Sequence, residues 1–349
     1  MRLRYVEQFR ALAIVMIVAG HAWYIQDWDR GSLAARLSLT VATTGTYLFV
    51  FIAGFLFQLL LPKFETWRYF RSKLRIVGLP YLIVSIPGLV WQFSKGPSGF
   101  APAGFADWPM PFQVLWYLAT GVHVGPLWFI PMICLIYVVA PLLARGDRDG
   151  RMYYVLPLLF IGSLFLHRSP GNADPIHSFL FYLPAYMLGM WTSRNIDAVQ
   201  AFMARWHWVA LAAWVGLVAF ATAYLPSPGH TVASAPVYSG EFALPPEIIS
   251  WIQLQKAVLT YLLLFYLARF ESAIGGRLTL LAEASFGIYF LHAYVQEVTA
   301  WAARKAGIPL PGDTLMLIAL TIGICAASYA IVRAAQLTLG PRSRLVVGS

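Results

Sequence analysis

Along this chain, apolar runs of about 17–25 residues alternate with short segments that hold most of the charge. An α-helix needs about 20 apolar residues to cross the hydrocarbon core of a bilayer. The runs are continuous and rich in Leu, Ile, Val and Phe, unlike the alternating segments of about ten residues that build barrels, so they predict membrane helices. Ten helices are predicted, at residues 8–26, 37–61, 74–95, 126–144, 151–167, 176–192, 206–225, 248–270, 280–302 and 313–337. A further apolar stretch, 111–121, is too short to span and is predicted to be interfacial or re-entrant. The fold class that follows is an all-α polytopic membrane protein, a bundle of about ten transmembrane helices. On this reading residues 1–340 form a single transmembrane domain and 341–349 a short cytoplasmic tail. No internal repeat is visible, which weighs against the inverted-repeat transporter folds.

Composition agrees with the pattern. The chain is 59% hydrophobic and 11% charged, where a soluble domain carries about 25% charged residues. The 25 Lys and Arg residues orient it. With the N-terminus in the cytoplasm, seventeen of them fall in cytoplasmic segments and six (Arg30, Arg36, Lys95, Arg168, Arg304 and Lys305) in outer ones, while Arg10 and Lys256 lie inside helices. Positive residues concentrate on the cytoplasmic side of membrane proteins, so both termini are placed there. The net charge of +10 is therefore a matter of topology. It is scattered through short loops with no basic tail or RNA-binding motif, and no nucleic-acid partner is expected. Cys134 and Cys325 both fall inside predicted helices, which predicts no disulfide and no metal site. Arg2 and Arg4 before an apolar run mimic a signal peptide, but Arg10 at the start of that run and the lack of a clean cleavage site predict an uncleaved first helix. Two outer segments, 96–125 and 226–247, are long. The first is rich in Gly, Pro and aromatic residues, and the second holds Pro226, Pro228, Pro245 and Pro246. They could frame a binding mouth, although aromatic residues also gather at any membrane interface.

The first helix carries the most informative pair. Arg10 and His21 are the ionisable groups inside its apolar run, with Glu7 just before it. Ionisable groups cost about 2.5–3.5 kcal/mol each at the centre of a membrane helix and usually persist there for function. Eleven residues at 100° each make three turns, so Arg10 and His21 share one face, about 16 Å apart along the axis. Glu7 lies near the same stripe. His21 could act as general base on a hydroxyl. Arg10 could hold a phosphate, a carboxylate or Glu7, or snorkel to the surface.

Four cations, Arg68, Arg71, Lys73 and Arg75, gather where the third helix begins, on the same side as Arg10. They suit an anion site better than topology alone requires, and a nucleotide-bearing cosubstrate such as a coenzyme A thioester would supply the phosphates. The segment Gly125-Pro126-Leu127-Trp128 opens the fourth helix. By its residues alone it is structural, with Pro favoured at a helix start and Trp128 at the interface. His123 before it is taken as exposed and incidental. Ser285, Tyr289 and His292 share a face of the ninth helix and could line a substrate path or hydrogen-bond to neighbouring helices. Lys256, mid-helix beside Gln253 and Gln255, needs a polar partner or a watery cavity.

These residues, taken in order, resemble the membrane-bound acyltransferase-3 family of ten-helix O-acyltransferases. The matching pieces are Glu7, the Arg-x10-His of Arg10 and His21, Phe49-Val50-Phe51-Ile52-Ala53-Gly54-Phe55, and the basic stretch before Leu79-Pro80-Tyr81-Leu82. Two more follow, Leu127-Trp128-Phe129-Ile130 and Phe286-Gly287-Ile288-Tyr289-Phe290-Leu291-His292. Together they cover about residues 4–335. The resemblance implies transfer of an acyl group, acetyl or succinyl, from cytoplasmic acyl-coenzyme A (acetyl-CoA or another acyl-CoA) to a hydroxyl of an extracytoplasmic or membrane-linked glycan, with no metal. The setting would be the bacterial inner (cytoplasmic) membrane, with proteins of polysaccharide synthesis or export as candidate partners. The expected catalytic residues are His21, Arg10 and Glu7. The expected donor-binding residues are Arg68, Arg71, Lys73 and Arg75, and those facing the substrate are Trp128, Tyr289, His292 and Lys256. The rival reading is a transporter or flippase for a glycan or lipid-linked precursor, which would use Arg10, His21 and Lys256 as a relay.

Overall fold

The first apolar run becomes α1 (Arg4–Ala22), extended by a 3-10 turn to Ile25. The computed structural model describes residues 4–225, 249–274 and 277–349. The predicted proline-bearing outer segment 226–247 lies outside the described residues. All ten predicted stretches are helical, and no strand forms among the described residues. Eight helical segments are long and apolar enough to cross a membrane. The other two predicted spans are a short apolar helix in 151–165 and the more polar helix Pro175–Arg194.

Several helices differ in detail from the apolar pattern. The run at 37–61 is broken at Thr43–Thr44 into α2 (Leu33–Ala42) and α3 (Gly45–Leu60). The third run starts earlier, at α4 (Thr66–Lys73), and passes through one π-helical turn (Leu74–Gly78) into α5 (Leu79–Lys95). The stretch too short to span is α6 (Met110–Thr120). It is pinned by Tyr81 Oη, which donates to the Leu118 carbonyl at 2.8 Å. Then come α7 (Phe129–Asp147), α8 (Leu156–Phe165), α9 (Pro175–Arg194), α10 (Ile196–Tyr224), α11 (Trp251–Arg269), α12 (Arg277–Ala306) and α13 (Thr314–Leu339).

The core forms around α1, which packs on α3, α11, α12 and α13. Phe9, Ile14 and Val18 are buried on it. The closest helix crossing is α3 on α9. A Cβ at Gly54 would lie 1.9 Å from the Tyr186 carbonyl oxygen, and one at Gly189 would lie 2.0 Å from that of Phe51. Water-driven burial does not hold helices together in lipid, so such close backbone contact supplies dispersion energy in its place. Both described termini gather at one end. Gln8 Nε2 donates to the Glu271 carbonyl at 3.0 Å, and the Gly287 amide donates to Ser349 Oγ at 2.8 Å. Residues 343–349 thus fold back onto the bundle, with Ser343 and Val347 buried. This end is the one the Lys/Arg count assigns to the cytoplasm and is termed the inner end.

A polar clamp closes the same end between α3, α7 and α9. Asp147 accepts from Gln58 Nε2 at 3.1 Å and from Tyr153 Oη at 2.7 Å, and pairs with Arg194 Nη1 at 3.1 Å. At the outer end, Arg36 of α2 donates to the carbonyls of Thr222 and Leu225, both at 2.6 Å, satisfying the last turn of α10. A helix C-terminus leaves carbonyls without helical partners, and a cation there also answers the helix dipole.

Candidate active site

The inner end holds a cavity of about 470 Å³. Its wall along α3 runs from Leu60 at the mouth to Phe49 at the floor, about 16 Å of helix. Arg10, Lys63, Arg68 and Lys73 line it, with Glu65 as the one carboxylate among them. A wall of Tyr69, Tyr137, Tyr186 and apolar residues completes it. A cavity with polar cations at its mouth and aromatic walls suits a long ligand with an anionic head and an apolar arm.

The basic cluster divides across α4. Positions 65, 68, 69, 72 and 73 face the cavity, while Trp67, Phe70, Arg71 and Leu74 line a separate groove on the other side of the helix. Arg68 and Arg71 are about 60° apart around the axis, which is enough to put them on either side of the divide. Lys73 borders both spaces, its Nζ 4.7 Å from the Tyr137 ring and 5.2 Å from the Tyr69 ring. Arg75 lies in the π-helical turn and is exposed, outside the cavity lining. Lys63 takes part in the cavity although its sequence marks it only as a loop charge. In the sequence it follows the end of the second apolar run, where a cation is ordinary.

Arg10 enters the cavity from α1 and donates from Nη2 to the carbonyl of Ala282. Glu7 lies on the same helix one turn nearer the inner end, half-buried and outside the cavity lining.

Above the cavity floor the bundle is filled by rings. Phe49 and Phe286 belong to the cavity lining, and their centroids are 5.8 Å apart. Tyr289 stacks on Phe49 at 6.4 Å and meets Phe129 at 5.4 Å. Its Oη donates to the Pro126 carbonyl at 2.5 Å, which locks the ring against the start of α7. His292 follows one turn further along α12, 6.0 Å from Tyr289, and its ring lies 5.3 Å from that of His21. The face Ser285–Tyr289–His292 read from the sequence therefore leads from the inner cavity to the histidine of α1. Gln296, the next residue on that face, donates to the His21 carbonyl at 3.0 Å.

His292 is fully buried. Its Nδ1 meets the Tyr289 and Ile288 carbonyls at 2.7 and 3.1 Å. Two carbonyl acceptors place the proton on Nδ1 and leave a lone pair on Nε2, which has no hydrogen-bond partner among the described residues. Two imidazoles side by side, one tautomer set by the backbone, can take and return a proton.

Trp128 stacks on Tyr182 at 5.8 Å and carries the Arg168 guanidinium 5.3 Å above its ring. It is thus more than an interface anchor. Arg168 was legible only as an outer-loop charge, yet its guanidinium packs on Trp128 and its Nε donates to Asn172 Oδ1 at 2.9 Å. Lys256 is 6% exposed on α11. The structure therefore brings Trp128, Tyr289, His292, Lys256 and His21 towards one region of the outer half, and Arg10, Arg68 and Lys73 to the inner cavity. His123 is not exposed as expected. It is 4% exposed, its Nδ1 bonds the Tyr117 carbonyl at 3.0 Å, and burial pushes its pKa down to about 4. It is a neutral packing residue at the end of α6.

No group of three or more His, Cys, Asp and Glu side chains among the described residues could hold a metal ion. Cys134 and Cys325 are free thiols.

No curated protein and no solved structure matches the chain. A family model described as an acyltransferase domain, that of the acyltransferase-3 family, matches residues 3–333. The match spans nearly the whole bundle and decides between the enzyme and transporter readings. The chain belongs to the acyltransferase-3 family and is a multi-pass membrane acyltransferase that transfers groups other than aminoacyl groups.

Proposed function

We propose that this protein is an O-acyltransferase of the bacterial inner membrane that takes an acetyl group from cytoplasmic acetyl-CoA and delivers it to a hydroxyl of an outer or membrane-linked glycan. The observation that carries the reading is the continuity of the site. A cation-lined inner cavity ends on Phe49 and Phe286, and the ring path Tyr289–His292–His21 continues from that floor. The phosphates of the donor stay at the mouth with Lys63, Arg68 and Lys73, where charge-assisted contacts are strongest. The pantetheine arm follows the aromatic wall past Arg10 to bring the thioester to the rings.

His21 takes the proton of the acceptor hydroxyl as its oxygen attacks the thioester carbonyl. The new C–O bond forms, the C–S bond breaks, and the proton passes from the imidazolium to the leaving thiolate, giving the ester and free coenzyme A. His292, with its Nε2 lone pair towards this region, accepts a hydrogen bond from the charged form of His21 and so steadies it. The protein works within the lipid bilayer, and proteins of polysaccharide synthesis or export would deliver and remove the glycan.

The test is transfer of label from acetyl-CoA in membranes, wild type beside His21→Ala. A general base contributes about 10²–10⁴-fold, so His21→Ala should lower transfer at least about 100-fold while leaving expression and thermal stability near wild type. Undiminished transfer in that variant would remove His21 from the chemistry.

A further inference from the structure

The groove on the other side of α4 is separate from the inner cavity and differs from it in kind. It encloses about 590 Å³ between α4, the π-helical turn that follows it, and α7. Arg71 and Lys73 are its charged residues, and no carboxylate lines it. The remaining lining is almost wholly apolar or aromatic, and Trp67, Leu74 and Val138 are exposed along it. Lys73 is set between two rings, its Nζ 4.7 Å from the Tyr137 centroid and 5.2 Å from that of Tyr69. Tyr137 borders the groove as well as the cavity, so the ammonium stands in the wall that the two spaces share. Arg71 is exposed and belongs to the groove alone.

The groove also has a direction. Val138 lies nine residues before Asp147, the last residue of α7. That is about 14 Å along the axis, close to half the thickness of a hydrocarbon core. Asp147 belongs to the clamp at the inner end. The groove therefore carries its cations on α4 and runs along α7 towards the bilayer midplane. A soluble anion would have to leave water to reach Val138. A phospholipid has the same division as the groove, with a phosphate at the interface and chains in the core. Basic pockets between helices on the cytoplasmic side of a membrane suit anionic headgroups. A guanidinium fork grips a phosphate bidentately, and an ammonium adds a point charge. With two cations and no carboxylate beside them, a headgroup of net negative charge is favoured over one that carries a choline.

We propose that this groove is a binding site for one anionic phospholipid of the inner leaflet, its phosphate on Arg71 and Lys73 and an acyl chain along Trp67, Leu74 and Val138. The site does not depend on the acyltransferase reading. It gives the outward half of the split basic cluster a ligand of its own.

The experiment is native mass spectrometry of the full chain in a neutral detergent, titrated with phosphatidylglycerol or with phosphatidylcholine of the same acyl chains. One phosphatidylglycerol should be retained at a concentration at least about fivefold below that needed for phosphatidylcholine, the factor that one favourable Lys or Arg contact supplies. Arg71→Gln should cut that preference severalfold. Arg75→Gln is the control, since Arg75 is exposed in the adjoining turn but outside the groove, and it should leave the preference unchanged. Val138→Trp fills the chain end without touching either cation and should weaken retention of phosphatidylglycerol severalfold. Equal retention of the two lipids overturns the inference. Equal losses in Arg71→Gln and Arg75→Gln overturn it too, since they would mark diffuse surface charge. Unchanged retention in Val138→Trp removes the chain path and the site with it. Retention of coenzyme A that depends on Arg71, without a preference for phosphatidylglycerol, would assign the groove to the donor instead.

Discussion

At the scale of single residues, the division of α4 has the most direct consequence. Arg68 and Arg71 are three positions apart and chemically alike, yet only Arg68 shares the cavity with Arg10 and Lys63. Exposed charge contacts are worth about 1 kcal/mol or less, and contacts to a phosphate at a half-open mouth somewhat more. Arg68→Ala and Lys63→Ala should therefore each raise KM for acetyl-CoA roughly fivefold with little change in kcat, and added salt should mimic them. Arg75→Gln should change KM less than twofold. Initial rates at varied donor concentration decide the matter, and equal effects at Arg68 and Arg75 would count against the cavity as the donor site. Arg10, His21 and the basic character of the third run were all readable because each breaks an apolar pattern in its own segment. Lys63 and Arg168 break no such pattern. They sit in loops where cations are ordinary, and only proximity in space gives them a role.

Among the elements, the crossing of α3 and α9 is the most constrained. The two glycines are reciprocal, Gly54 against Tyr186 and Gly189 against Phe51. The atoms they meet are backbone oxygens, which cannot swing aside as a flexible side chain would. Gly54→Ala and Gly189→Ala should each separate the helices and destabilise the bundle by about 1–3 kcal/mol, the usual range for overpacking. Thermal unfolding in detergent would show this as a lowered Tm, and an unchanged Tm in both variants would refute the crossing. Gly216, which has open space around it, is the control. In the sequence Gly54 appears only as part of an apolar stretch. Its partner, 135 positions further on, is invisible until α3 and α9 are seen to touch. The break at Thr43–Thr44 has a similar origin. The sequence marks the place only by Thr43-Thr44-Gly45-Thr46 within the run, while in the fold Gly45 lies against α1, where a Cβ would come within 2.4 Å of the Ile17 amide nitrogen.

For the whole molecule, the charge count and the packing agree on which ends lie together. The N-terminal turn of α1, the start of α12 and the last residues of the chain meet at the inner end. In a cysteine-free background, Asp29→Cys in the outer loop should react with a membrane-impermeant maleimide in intact cells, and Asp149→Cys only after lysis. Both positions are exposed. Reversed labelling would invert the topology, and with it the placement of donor and acceptor. The length, continuity and composition of the apolar runs determined the helical membrane architecture by themselves, because the bilayer demands about 20 apolar residues with every backbone group bonded within the segment. The stripe of Arg10 and His21 was determined likewise, since helix periodicity is local. Only the tertiary structure decided that Arg10 reaches the Ala282 carbonyl, that His21 faces His292, that Arg168 lies over Trp128, and that the basic cluster splits. Those contacts link segments far apart in sequence through shape and close approach, and the apolar pattern within each segment would be the same for many arrangements of the same helices.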